Sequence, residues 1–120
     1  MATVAYVSDH PAFTSIGISG YKWTPLTNVN LDGAPLMLRR RTDRSVQVTG
    51  TFDGCTVTIQ GSLDGTNWFT LNDLQSTALT FTSARLEGVS EICTFIRPLV
   101  SAAGAATSIT VNLVEVGDGG

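Results

Sequence analysis

A chain of 120 residues, with a net charge of −3 and only 14% charged residues, has the size of one domain and too few cations for a general nucleic-acid binder. It contains no apolar run of about 18 residues that would span a membrane, and Met1-Ala2-Thr3-Val4 lacks the basic start and sustained apolar run of a signal peptide. Serine and threonine number 27 and supply much of the polar surface that charged side chains usually provide, threonine being well suited to strands by its branched Cβ.

Residues 1–44 are rich in turn formers: Asp9-His10-Pro11, Gly17, Gly20, Pro25, Asp32-Gly33 and Pro35. Short extended pieces are predicted at Val4–Val7, Tyr21–Thr24 and Leu36–Arg40. The segment reads either as an extended arm that orders on a neighbouring subunit or as one or two edge strands with long loops. Arg39, Arg40, Arg41 and Arg44 are four of the seven basic residues. In a strand Arg39 and Arg41 point one way and Arg40 the other. They read as a solvated strand end or as a contact with an acidic partner, whose carboxylates a guanidinium fork holds bidentately.

Residues 46–71 carry the clearest pattern. Apolar and polar positions alternate through Val46–Phe52 and Cys55–Ser62, and again at Trp68–Leu71, with Asp53-Gly54 and Asp64-Gly65 between them. Alternation of period two marks strands with one buried face, and Asp-Gly favours a tight hairpin turn because both central residues can take positive φ. The expectation is a three-stranded antiparallel meander with Val46, Val48, Gly50, Phe52, Val57 and Ile59 facing the core. Gly50 and Gly61 predict bulges or close backbone approach. Trp68 and Phe69 are adjacent and must point to opposite faces, one joining the core with Leu71.

Further strands are predicted at Ala78–Ser83, Ile92–Val100 and Ser108–Val116, with Pro98 at an edge or bulge. Ala84–Gly88 reads as a turn or one helical turn, residues 101–106 as a small-residue loop, and 117–120 as a flexible end. The fold class expected is all-β: an antiparallel, jelly-roll-like sandwich over residues 45–116 with an extended N-terminal segment, 1–44.

Reactive chemistry is sparse. His10 sits in a turn before Pro11, where a catalytic triad has no framework. Asp32, Asp53 and Asp64 each precede glycine, which turn geometry explains. Calcium and phosphate loops are absent, and Cys55 and Cys93 fall short of a zinc ligand set, so no metal or cofactor is expected and an enzyme is disfavoured. The two cysteines fit one disulfide or, in a reduced cytoplasm, two buried thiols.

The stretches Val48–Phe52 and Thr56–Ser62, the run Asp64-Gly65-Thr66-Asn67-Trp68-Phe69-Thr70-Leu71 and the late Phe95-Ile96-Arg97-Pro98 resemble small all-β structural proteins of tailed-bacteriophage heads, and among these capsid decoration (cement) proteins. The resemblance covers about residues 46–113. It implies a jelly-roll-like module on the outer face of the virion head, made in the host cytoplasm, homodimeric or homotrimeric, that bridges major capsid protein subunits and binds neither nucleic acid nor membrane. Candidate contacts are Arg39, Arg40, Arg41, Arg44, Tyr21, Trp23 and Trp68. Two other readings remain open: a carbohydrate-binding sandwich that stacks sugars on Trp68, Trp23 or Tyr21, and a tail or head–tail junction protein.

Overall fold

The computed structural model describes residues 3–8, 18–38 and 43–116. Its strands are β1 (Tyr6–Ser8), β2 (Ile18–Thr27), β3 (Leu36–Met37), β4 (Asp43–Thr51), β5 (Thr56–Ser62), β6 (Phe69–Thr70), β7 (Thr80–Phe81), β8 (Arg85–Val89), β9 (Phe95–Ser101) and β10 (Ser108–Val116). One sheet runs β1-β2-β10-β4-β8. The other runs β3-β9-β5-β6, with β7 also paired to β5. The protein is therefore an all-β antiparallel sandwich, as the alternation predicts.

The strand order has a simple origin. β2 pairs with β10, β3 with β9, β4 with β8, and β5 with β6 and β7, all antiparallel. These are the rungs of one long hairpin whose tip is the β5–β6 turn. Rolling that hairpin lays β10 beside β4 and β9 beside β5, which leaves two sheets face to face. This is jelly-roll topology. Side-chain alternation then fills the space between the sheets. Val46, Val48, Val111, Leu113, Trp23 and Leu26 point in from the first sheet, and Val57, Ile59, Ile96, Val100 and Phe81 from the second. Burying each aliphatic side chain contributes roughly 1.5–3 kcal/mol.

The rolled hairpin corrects three expectations. β4 and β5 do not form a hairpin. Asp53 (φ 48°) and Gly54 (φ 82°) do make the tight turn, closed by the Cys55 amide donating to the Phe52 carbonyl at 2.9 Å. That turn carries the chain from one sheet to the other, and only β5–β6 is a hairpin of the expected meander. Secondly, of the two readings of residues 1–44 the described part follows the edge-strand one rather than an arm: β1 and β3 are outer strands, but β2 lies between β1 and β10, and Tyr21, Trp23, Leu26 and Leu36 belong to the core. Pro25 is tolerated inside β2 because the register shifts there, between Ile109 and Val111 of β10. Thirdly, residues 85–89 form strand β8 on β4 rather than a helical turn.

Other expectations stand. A Cβ on Gly50 would run into the Ser108 carbonyl, and one on Gly61 would lie 2.7 Å from Leu71 Cδ2 and 2.9 Å from Cys93 Sγ, so both are sites of close approach. Pro98, by contrast, lies at neither a sheet edge nor a bulge: β9 runs between β3 and β5 in unbroken register with β5, and Pro98 falls past the two residues paired with β3, its carbonyl accepting from the Gly33 amide at 2.9 Å. Cys55 and Cys93 are buried free thiols. They lie at opposite ends of the seven-residue β5, whose rise of about 3.3 Å per residue puts them far beyond disulfide reach.

Candidate functional site

The sandwich has two flanks, and they are closed differently. On the flank between β2 and β3, residues 31–34 lace the sheets together. Val4 donates to Asp32, Ala34 to Val4, Gly33 to Pro98 and Val100 to Leu31, all through backbone bonds of 2.7–2.9 Å. The Trp23 indole is 1% exposed and donates from Nε1 to the Ala34 carbonyl at 3.0 Å, while Tyr6 packs edge-on against Tyr21 and Trp23.

On the flank between β8 and β6 the lacing is partial. The Ser90 amide donates to the Asn72 carbonyl at 3.0 Å, and the Glu91 carboxylate accepts from the Asn72 backbone and side-chain nitrogens at 2.7 and 2.5 Å. Beyond Glu91 the seam opens into a cavity of about 420 Å³. Gly61, Leu71 and Cys93 are among its lining residues and are buried; Leu63, Phe69 and Ile92 stand around it at 72%, 70% and 76% exposure. Register explains Phe69. It pairs with inward-facing Gly61, so its ring points to the core side of the sheet at an edge that the opposite sheet does not cover. The absence of a side chain on Gly61 keeps the floor of the cavity open.

The polar part of the rim is acidic. Asp64 lines the cavity from the β5–β6 turn, where its carboxylate accepts from the Asn67 and Thr66 amides at 2.9 and 2.8 Å, from Asn67 Nδ2 at 2.7 Å and from the Ser62 hydroxyl at 2.9 Å. These bonds, the Asn67 amide first, hold its carboxyl well below the usual carboxylate range. Glu91 supplies the second carboxylate, and among the described residues no Lys or Arg lines the cavity. Burial pushes the Cys93 thiol above its ordinary pKa, against a weaker opposing pull from the nearby Arg44 guanidinium.

The contact residues expected from sequence do not gather in one place. Tyr21 and Trp23 are core residues of the sealed flank, so neither offers a surface to a partner. Arg44 is also buried: register places it opposite Glu115 on the inner face, with Arg44 Nε 3.7 Å from Glu115 Oε2 and Arg44 Nη1 donating to the Glu91 carbonyl at 3.0 Å. Arg39, Arg40 and Arg41 lie outside the described residues. Trp68 is half-buried on the outer face, with the Arg97 guanidinium 4.1 Å over its ring and held there by a 3.0 Å bond from Arg97 Nε to Gln60 Oε1. One face of that indole is thus already occupied by a cation. Neither Trp68 nor Phe69 joins the core, contrary to the expectation for one of them; Leu71 does.

Sequence reading missed Leu63, Ile92 and the two rim carboxylates. Leu63 breaks the alternation just after Ser62, which was the available signal. Ile92 looked like the first residue of a strand that begins only at Phe95. Among the described residues no group of three or more His, Cys, Asp or Glu side chains could hold a metal ion, and no helix is long and apolar enough to cross a membrane. Comparison with protein-family models, with curated proteins and with solved structures finds no match to this chain.

Proposed function

We propose that this chain is a structural protein of a tailed-bacteriophage head, a decoration or cement protein that binds the outer shell and bridges major capsid subunits. The observation that carries the reading is the mouth on the β6–β8 flank. Three large apolar side chains stand exposed around an open cavity in a molecule whose other flank is sealed. Apolar clusters of this kind, rimmed by polar groups, mark surfaces that meet another protein. The low charge and the Ser/Thr-rich surface suit a module packed among neighbours. A jelly roll supplies the stiffness such a module requires, and symmetry on a shell repeats a weak contact many times, so avidity rather than single-site affinity secures it.

The test is co-sedimentation of the purified protein with phage shells that lack it, followed by imaging. The expected result is saturable binding at a fixed number of copies per shell and a shell that withstands a higher temperature. No binding to any shell assembled with its own major capsid protein would overturn the proposal.

A further inference from the structure

We propose that the mouth on the β6–β8 flank is a socket for an extended segment of a partner protein that carries apolar side chains flanked by lysine or arginine. The inference deepens the reading of this chain as a partner-binding module, but it does not require that the partner be a capsid protein.

Three observations carry it. The cavity volume of about 420 Å³ lies inside the range of roughly 300–1,000 Å³ typical of binding clefts. That is room for the side chains of two alternate residues of a strand rather than for a folded domain. Secondly, the walls are apolar: Leu71 and Cys93 are buried at depth, and Phe69 and Ile92 stand exposed at the lip, where an occupant would take their surface out of water. An apolar side chain entering there gains burial on several sides without displacing a hydrogen-bonded group. Thirdly, the rim carries two carboxylates. Asp64 and Glu91 sit on the lining, which among the described residues includes no lysine or arginine. The buried Arg44 donates to the Glu91 carbonyl and faces Glu115, and Asp64 is held ionised by four hydrogen bonds inside its own turn. An anionic flank repels an anchor in an acidic context and favours one beside a cation, so charge complementarity selects among the many apolar segments a partner could present.

Cys93 provides the reporter, because its thiol lies in the cavity lining while Cys55 is buried at the far end of β5. The probes are two capped peptides, acetyl-Gly-Lys-Leu-Thr-Phe-Lys-Gly-amide and the same sequence with glutamate in place of both lysines. The rate of Cys93 alkylation by iodoacetamide is followed by mass spectrometry at low salt, with Cys55 as the control in the same molecule. Millimolar basic peptide is expected to slow Cys93 and leave Cys55 unchanged. Two rim ion pairs make it bind about tenfold tighter than the acidic peptide, a preference that molar salt removes without any mutation. Replacing Phe69 and Ile92 together by serine, both exposed and so dispensable for folding, is expected to abolish protection by either peptide. Equal protection by the two peptides at low salt, or no protection by either, overturns the proposal. So does self-association of the chain that disappears in Phe69→Asp, since a second copy would then be the occupant. Failure to bind shells together with selective protection by the basic peptide would overturn the capsid reading and leave the socket standing.

Discussion

The two flanks of the sandwich are built from the same kind of residue and end in opposite states. On one, Trp23 is covered by residues 31–34 and its single N–H is satisfied by Ala34. On the other, Phe69 has the same inward orientation and is left exposed. The difference lies in the connection, not in the aromatic residue. The 31–34 link runs alongside β9 and bonds to it, while the chain leaving β6 turns away toward Asn72 and the chain entering β9 arrives past Glu91. A rolled hairpin closes where a crossing segment is long enough to lie on the seam and gapes where it is not. Burial on the sealed flank stabilises the fold; exposure on the open flank leaves apolar surface free for another molecule.

Perturbations of unequal size sharpen this contrast. Deleting residues 1–38 removes β1, β2 and β3 together with Trp23 and Leu26, and the expected outcome is a chain without a cooperative unfolding transition by circular dichroism; a folded remnant would restore the detachable arm. Trp23→Ala on the sealed flank is expected to cost about 3–5 kcal/mol in denaturant unfolding, the range for emptying a buried aromatic site. Gly61→Ala, which pushes a methyl group against Leu71 and Cys93, is expected to cost about 1–3 kcal/mol as overpacking. Phe69→Ala or Ile92→Ala on the open flank should stay within about 0.5 kcal/mol of the parent, as an exposed substitution does. Comparable losses at Trp23 and Phe69 would erase the distinction between the flanks.

The smallest effect concerns the acidic lip. The Asp64 pKa is depressed in the folded protein, so its contribution is present above the unfolded value of about 3.9 and is lost as pH falls toward the folded one. Asp64→Asn should therefore flatten the decline of stability below about pH 4. The amides of Thr66 and Asn67 should stay protected from hydrogen exchange in the parent at acid pH and not in the variant.

What the sequence made legible follows from what is local. Asp53-Gly54 and Asp64-Gly65 are both turns, as their dipeptides require, and the strands around them alternate as written. Their partners were another matter. Turn chemistry sets φ at two residues but is silent on whether the flanking strands then pair or part. In a rolled hairpin only the tip joins neighbours in sequence, so Asp64-Gly65 behaves as expected and Asp53-Gly54 does not. The same long-range pairing hid β2: Gly20 and Pro25 weaken its local signal, and β10, some eighty positions downstream, supplies the order. Arg44 was misjudged for a related reason. Its sequence neighbours suggest an exposed basic run, whereas strand register turns it inward onto Glu115. The open mouth was the least legible feature, because exposure of Phe69 depends on what fails to cross above it.

The place of β10 between β2 and β4 has a consequence for biosynthesis. It is the last of the ten strands to leave the ribosome, yet it forms the middle of its sheet. Until it emerges, β2 and β4 each present an unpaired inner margin, and the nascent chain carries two sticky strips in place of one finished layer. Vectorial synthesis therefore cannot complete this half of the molecule strand by strand: β2 and β4 gain their shared neighbour only once residues 108–116 are free to pair.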